Sequence, residues 1–156
     1  DTNPLHVRVV AEQFAWNFHY PGPDGKFGRT APELMNAENL IGLDRTDPDA
    51  GDDVVTNNDF RVVVDRPVIL AMSSKDVIHS FSVPVLRVKA DVIPGMMVTA
   101  WFEATAQGEF EVACAQLCGN NHYTMKADLT VTTQDEFDAW IADMSSGDDE
   151  EEEEEE

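Results

Sequence analysis

The chain has 156 residues, 42% of them apolar, which suffices for one compact domain with a hydrophobic core but is too short for two. Its formal net charge of −21 with only ten lysines and arginines argues against nucleic-acid binding and favours a basic partner, although a salt-rich environment also explains an acidic composition. No apolar run approaches the length of a membrane helix, so the sequence predicts a soluble piece.

Strand-like patterns dominate the chain. Residues 6–20 carry β-branched and aromatic side chains and predict one long strand or two short ones. Residues 21–58 are rich in Pro, Gly, Asp and Asn and predict a long surface excursion, with a short helical turn near residues 31–40. Seven further strands are predicted at residues 60–65, 67–74, 77–83, 86–92, 97–104, 108–114 and 127–132. Short strands without intervening helices predict an antiparallel sandwich or small barrel.

A single amphipathic helix is predicted to close the domain. Thr133 and Glu136 have the spacing of a capping box, and Phe137, Trp140 and Ile141 follow at helical spacing. The nine carboxylates of residues 148–156 repel one another and have no apolar face to bury. We therefore predict one domain over residues 1–144 and a disordered acidic tail over residues 145–156.

The neighbours of two tryptophans and two histidines predict whether these side chains are buried or exposed. Trp101 and Trp140 are predicted to be core aromatics. His6 and His19 have no ligand-like neighbours and are predicted to lie at the surface.

Both cysteines lie in the run CAQLCGNNHYTM, residues 114–125, with the spacing Cys114-x3-Cys118-x3-His122-x2-Met125 between two predicted strands. Thiolate, imidazole and thioether groups are the ligands that copper prefers. His79, on an earlier strand, supplies a second imidazole. A disulfide would close so small a loop that it would constrain the unfolded chain little.

The number of cysteines favours a paired metal centre. A mononuclear blue-copper site needs one cysteine and would leave Cys114 without a role. Two thiolates can bridge two copper ions, with one histidine for each ion, Met125 as one axial donor and the backbone carbonyl of Gln116 as the other. Two alternatives stay open on these residues: a zinc site of two cysteines and two histidines, and a nucleophilic pair of Cys118 and His122.

The same run, together with VIHSFSVP around His79, LRVKADVIPG at residues 86–95 and EQFAWNFHYPGPDGKFG near the start, resembles a known family. It is similar to the binuclear copper (CuA) domain of subunit II of haem-copper cytochrome c oxidases, over nearly all of residues 5–142. The resemblance implies an all-β, cupredoxin-like Greek-key barrel or sandwich with a short C-terminal helix. It also implies two copper ions with these ligands: His79, Cys114, Gln116 through its carbonyl, Cys118, His122 and Met125.

The resemblance implies a function in respiration. The domain would accept electrons from a cytochrome c type donor and pass them to haem in subunit I, where oxygen is reduced. It would lie at the outer, periplasmic face of the cytoplasmic membrane, attached through helices upstream of Asp1. The alternatives are the related copper domain of nitrous oxide reductase and a copper storage or delivery protein.

Three positions depart from the family pattern. Gln116 stands where the family usually has a glutamate that serves a magnesium site, so we predict no magnesium here. Phe14 stands where the family commonly has the tryptophan that receives electrons, so electrons are predicted to enter through Phe14, Trp16 or Tyr20. Lys75 stands where an acidic docking residue is often found, so the donor need not be an ordinary soluble cytochrome c.

Overall fold

The computed structural model describes residues 4–12, 15–21, 27–28, 30, 32–35, 41–44, 47, 53–83, 86–114 and 125–150, with residues 145–150 described by backbone alone. Strands and one α-helix make up most of this part of the chain. In chain order the elements are β1 (Leu5–Glu12), β2 (Ala15–Tyr20), a 3-10 helix (Pro32–Leu34), β3 (Val54–Asn57), β4 (Asp59–Val63), β5 (Pro67–Ser74), β6 (His79–Val83), β7 (Val88–Val92), β8 (Val98–Glu103), β9 (Gly108–Cys114), β10 (Lys126–Thr132) and α1 (Gln134–Glu150).

Every strand predicted from the sequence pattern is present, and residues 6–20 form two strands, β1 and β2. The short helical turn predicted near residues 31–40 is the 3-10 helix Pro32–Leu34. The sequence missed β3, because its four residues follow a stretch in which turn-forming residues predominate. The last part of the predicted surface excursion is therefore a strand.

The strands form two five-stranded sheets. The first sheet has the order β3-β2-β1-β5-β8, and the second sheet has the order β4-β10-β9-β6-β7. Most neighbours are antiparallel, but β1 pairs with β5 and β4 pairs with β10 in parallel registers. The predicted sandwich is confirmed, with the correction that two of its strand pairs are parallel. Parallel neighbours need crossover connections instead of hairpins, and a list of strands along the chain does not reveal these.

The two sheets pack face to face around one hydrophobic core. Alternate residues of β1 point into it, so that Val7 and Val9 are buried while His6 is exposed, as predicted for this histidine. Phe18 of the first sheet stacks on Phe60 of the second, with ring centroids 4.5 Å apart. Burial of this apolar surface is the main favourable term that holds the sheets together.

Helix α1 packs against β3 and β4. Thr133 Oγ1 accepts a hydrogen bond from the backbone N–H of Glu136 at 3.3 Å, as the predicted capping box requires. Phe137 and Ile141 are buried in the core, and Trp140 packs against it. The helix runs to Glu150, beyond residue 144 where we predicted the domain to end; disorder of the acidic tail stays a prediction. Within the described residues, no helix combines the length and the apolar character needed to cross a bilayer.

A small second cluster lies on the outer face of the first sheet, where Ile41 and Leu43 pack against Val10 and Val55. His19 is buried on the same face, because the ring of Phe27 packs against it at a centroid distance of 4.9 Å. The prediction that His19 lies at the surface is therefore wrong. Described residues between β2 and β3, among them Phe27 and Leu43, cover part of the sheet, which the alternating pattern of β2 does not reveal.

Trp101 is also placed differently from its prediction. It lies on β8, at the edge of the first sheet, and its side chain is 71% exposed. Phe102 takes the core face of this strand, so Trp101 points to the opposite face. The predicted strand is correct, but the sequence did not settle which of two adjacent aromatic residues faces inward.

Candidate metal centre

His79 is the first residue of β6, a strand whose five residues are all buried. Its Nε2 lies 3.0 Å from Oδ1 of Asp76, and its Nδ1 is buried without a hydrogen-bond partner. An ionised carboxylate can only accept a hydrogen bond, so the proton of the neutral ring belongs on Nε2 and a lone pair remains on Nδ1. A buried imidazole nitrogen with an unshared lone pair is suited to bind a metal ion.

Asp76 is held in place by the turn that precedes β6. Its Oδ1 also accepts a hydrogen bond from the backbone N–H of Val77 at 2.6 Å, and its own N–H donates to Ser74 Oγ at 3.3 Å. A metal-binding histidine usually donates its second ring N–H to such an acceptor, which fixes the ring and raises its basicity. Sequence reasoning did not identify this residue. The signal available was an aspartate three positions before the histidine, in the turn that leads into its strand.

Strand β9 places Cys114 near His79. Cys114 is the last residue of β9, is buried, and pairs with Phe81 of β6. Residues two apart on a strand share a face, so His79 and Cys114 are diagonal neighbours on the same face of the second sheet. The sheet therefore brings together an imidazole and a thiol that are far apart in sequence.

Met125 directly precedes β10 and is buried. Its backbone carbonyl accepts a hydrogen bond from the N–H of Cys114 at 3.3 Å. The two ends of the predicted ligand run are thus bonded to each other, next to the strand that carries His79. This arrangement follows from the antiparallel pairing of β9 with β10.

The other three predicted ligands, Gln116, Cys118 and His122, lie outside the described residues. Within the described ranges, no three His, Cys, Asp or Glu side chains are grouped so that they could hold a metal ion. The structure therefore places three of the six predicted ligands, which are His79, Cys114 and Met125. The complete ligand set stays a prediction.

Trp16 covers one side of the candidate centre. Its ring centroid lies 6.0 Å from that of His79 and 5.5 Å from that of Phe81. Asn58 holds the backbone of Trp16 from both sides: its Oδ1 accepts from the Trp16 N–H at 2.8 Å, and its N–H donates to the Trp16 carbonyl at 2.7 Å. Asn58 has a φ of 57°, a left-handed conformation that asparagine tolerates better than most residues. The turn between β3 and β4 thus positions the indole.

Two of the three aromatic residues predicted to receive electrons are described, and neither is at the surface. Trp16 and Tyr20 are both fully buried, and Phe14 lies outside the described residues. The Tyr20 hydroxyl bonds to the backbone of Arg61, and its ring packs against Trp140 of α1. Burial raises the pKa of Tyr20 far above its ordinary value, so this hydroxyl stays neutral. An external donor can touch neither ring directly, and the predicted path of electrons through these residues stays a prediction.

Comparison with known proteins gives the family. The model of the periplasmic domain of cytochrome c oxidase subunit II matches residues 5–133. The chain belongs to this family. It is 39% identical over 136 residues to the alternative cytochrome c oxidase subunit 2 of Bradyrhizobium diazoefficiens, covering 86% of this chain and 49% of that protein. It is 41% identical over 136 residues to the cytochrome c oxidase subunit 2 of Thermostichus vulcanus, covering 87% of this chain and 32% of that protein.

A solved structure confirms the predicted fold. The periplasmic domain of subunit II of cytochrome oxidase (CoxB) of Bradyrhizobium japonicum matches with a TM-score of 0.68 and 28% identity, over 94% of this chain and 96% of that chain. The all-β, cupredoxin-like architecture with a short C-terminal helix is therefore established for this member of the subunit II family.

Membership in the subunit II family implies a copper-binding domain. The chain spans about a third to a half of the length of the two curated relatives described above. These relatives are oxidase subunits, which favours an oxidase domain over the related domain of nitrous oxide reductase.

Proposed function

We propose that this chain is the electron-accepting domain of a cytochrome c oxidase and that it holds two copper ions in a binuclear centre. The proposed ligands are His79, Cys114, the carbonyl of Gln116, Cys118, His122 and Met125. The observation that carries the proposal is the buried, unpartnered Nδ1 of His79, beside Cys114 on one face of the second sheet. Leaving such a polar atom unsatisfied in a core costs about 1–3 kcal/mol, which a bound metal ion would remove.

The described residues fit this metal chemically. The contact of His79 Nε2 with Asp76 directs the proton of a neutral ring to Nε2 and leaves Nδ1 as the metal-facing nitrogen. Cys114 would supply a thiolate and Met125 a thioether, both of which are soft ligands that copper binds. No carboxylate ligand, of the kind that magnesium or calcium prefers, is needed in this set.

When bound, copper held by these residues would supply reversible one-electron chemistry. The protein contributes a rigid and dry setting. His79, Cys114, Met125 and Trp16 are all buried, and the ligand run begins and ends at residues joined by a backbone hydrogen bond. An apolar shell of this kind limits the access of water, which otherwise reorients around a changing charge.

We further propose the electron path of the whole protein. A cytochrome c type donor would bring an electron to this domain at the periplasmic face of the membrane, and haem in subunit I would receive it for oxygen reduction. The strongly acidic chain would attract a donor with a basic surface. Trp16 is buried against His79, so it acts as an inner contact of the centre and a more exposed group must meet the donor.

Metal analysis and electron paramagnetic resonance of the copper-loaded protein test the centre. We expect two copper ions per chain and seven hyperfine lines, the pattern of one electron shared equally by two copper nuclei. A single ion per chain, or zinc in freshly purified protein, would overturn the proposal.

Replacing Cys114 tests the bridge directly. Cys114→Ser removes one thiolate and should leave a mononuclear or heterogeneous site with a four-line spectrum. Met97→Leu is a suitable control, because Met97 is exposed and is not among the proposed ligands. An unchanged seven-line spectrum in Cys114→Ser would show that this sulfur does not bridge the ions.

A further inference from the structure

A cavity of about 330 Å³ lies on the outer face of the first sheet, on the side opposite the core. Its polar lining comes from Arg8, His19, Thr30, Ser73 and Lys75. Its apolar lining includes Val10, Ile41 and Ala71. Small-molecule sites begin at about 300 Å³. The space is thus large enough for a small organic ligand.

Arg8 is the group in this cavity that most needs a partner. Its guanidinium carbon lies 4.3 Å from the centroid of the Phe27 ring, and the side chain is half-buried. It makes no hydrogen bond or ion pair with any residue that the structure describes. A guanidinium has five N–H donors in a planar fork that matches a carboxylate. Partial burial of this group without a hydrogen-bond partner is unfavourable.

The nearby carboxylate does not satisfy Arg8. Burial lowers the pKa of Arg8, and the charge of Asp53 acts in the opposite direction and raises it. Asp53 Oδ2 already accepts a hydrogen bond from the Gly28 N–H at 2.7 Å and lies 2.6 Å from Nε2 of His19. Asp53 therefore attracts the guanidinium electrostatically while its described hydrogen bonds go to other groups.

The charge of the lining is unusual for this chain. The sequence has 31 acidic and only ten basic residues, yet the described part of the cavity lining contains Arg8 and Lys75 and no aspartate or glutamate. Lys75 is paired with Glu12 at 3.2 Å, so its charge is partly neutralised. Asp53 attracts Arg8 without a described hydrogen bond to it, so the N–H donors of Arg8 are available to a ligand. One such guanidinium with apolar walls fits a singly charged ligand that carries an apolar body. A dianion such as phosphate would lack a second free cation and an interaction for the walls.

We propose that this cavity binds a small organic monocarboxylate. The carboxylate would form a forked ion pair with the guanidinium of Arg8, and the hydroxyls of Thr30 and Ser73 lie on the same lining. The apolar body would lie against Val10 and Ala71. The site is separate from the candidate metal centre, because Arg8, Val10 and Ala71 point to the face of the first sheet that is turned away from the core.

Titration with hexanoate, followed by heteronuclear NMR of the metal-free protein, tests the site. We expect saturable shifts for residues around Arg8 and Ala71, and at least about tenfold weaker binding in Arg8→Gln, because a charge-assisted hydrogen bond is lost. Arg87→Gln is the matched control, since Arg87 is exposed beside the second sheet and its change should leave the affinity unaltered. An equal loss in both variants, or no saturation with hexanoate, overturns the proposal.

Two further ligands separate the contribution of the carboxylate charge to binding from that of the apolar body. Hexanamide has the same length without the charge and should bind at least about tenfold more weakly than hexanoate. Inorganic phosphate should also bind more weakly, because the apolar walls contribute nothing to it. Phosphate binding as tight as that of hexanoate would replace the monocarboxylate site by a general anion site, and equal binding of hexanamide would exclude a role for Arg8 as the anchor.

A variant that fills the cavity gives an independent test. Ala71 lies on β5, between Arg8 of β1 and Thr99 of β8. Ala71→Leu places extra carbon atoms in the cavity and should abolish hexanoate binding while circular dichroism still shows the native β fold. Retained binding in a folded Ala71→Leu protein would show that the ligand sits elsewhere. Since none of these measurements needs a metal, their outcome is independent of the proposed copper centre.

Discussion

Two fully buried histidines on opposite sheets present the same ring nitrogen to an aspartate, but their surroundings differ. His79 Nε2 lies 3.0 Å from Asp76, whose side chain is 32% exposed. His19 Nε2 lies 2.6 Å from Asp53, which is itself fully buried. The pair of His79 and Asp76 lies next to solvent and beside Cys114. The pair of His19 and Asp53 lies between the first sheet and Gly28, whose N–H donates to Asp53.

The comparison shows that burial of a histidine and an aspartate partner do not by themselves identify a metal ligand. What distinguishes His79 is the thiol of Cys114 on the same face of the sheet. A backbone hydrogen bond also joins Cys114 to Met125, the first and last residues of the cysteine-containing run. His19 instead lies among Asp53, Gly28, Phe27 and Arg8, which join the outer face of the first sheet to the residues after β2. We therefore expect His79 to matter for the metal and His19 to matter for stability.

Replacing His79 should have the largest effect on copper. His79→Ala removes one of two proposed imidazole ligands, so the seven-line spectrum should disappear completely. The metal-free variant should lose no more than about 2 kcal/mol in free energy of unfolding, because Asp76 is partly exposed and can be hydrated. Spectroscopy of the copper-loaded protein and denaturant unfolding of the metal-free protein measure the two effects.

The control for this change is His6→Ala, because His6 is exposed on β1. It should keep both the spectrum and the stability. A binuclear spectrum that survives in His79→Ala would remove the main difference between the two buried histidines and would assign the second imidazole to another residue.

Replacing His19 should give the opposite result. His19→Ala leaves the buried Asp53 without its imidazole partner, and the loss of such a buried hydrogen bond costs about 1–3 kcal/mol, more when the acceptor is charged. Unfolding in denaturant should show this loss, while the protein that remains folded should keep the copper spectrum of the unchanged chain. If His19→Ala instead abolished the spectrum at full stability, the division of roles between the two histidines would be wrong.

Apart from β3, the strands were predictable because each is a short run rich in apolar, β-branched and aromatic residues bounded by turn residues. The pattern also predicted α1, since Thr133, Phe137 and Ile141 form a local signal. The order of the strands in each sheet was not predictable, because β1 pairs with β5 and β4 pairs with β10 although they are far apart in sequence. Alternate residues of a strand point to opposite faces, so the side chains of Trp101 and Phe102 point in opposite directions. The sequence does not show which of the two points to the core.

The candidate centre was predictable to the extent that its ligands are close in sequence. The spacing of Cys114 and Met125 predicted the ligand run, and the segment around His79 predicted the distant imidazole. The acceptor for His79 was not identified, because an aspartate in a turn has many other uses. The role of His19 was missed for a different reason: Asp53 is 34 residues away, and only the packing of the chain after β2 brings the two together.

Of the substitutions discussed, Asp76→Asn should have the smallest effect on the copper centre. It tests most specifically how the aspartate partner of His79 acts. The asparagine side chain can still accept the Nε2–H of His79, but it lacks the negative charge that makes the imidazole a stronger donor to the metal. We expect copper affinity to fall by about tenfold and the reduction potential to rise, because the oxidised centre loses more stabilisation than the reduced one. Competition with a copper chelator and redox titration measure these changes.

The matched control is Asp91→Asn, an exposed aspartate on β7 that pairs with Ser80 in the neighbouring strand and makes no hydrogen bond to His79. Both variants remove one negative charge near β6, so a charge effect acting through space would shift the two potentials similarly. A larger shift in Asp76→Asn assigns the effect to the charge of the acceptor that is hydrogen-bonded to the imidazole. Equal shifts would mean that a charge near β6 acts in the same way without touching the imidazole, and the contact at 3.0 Å would then have no special role.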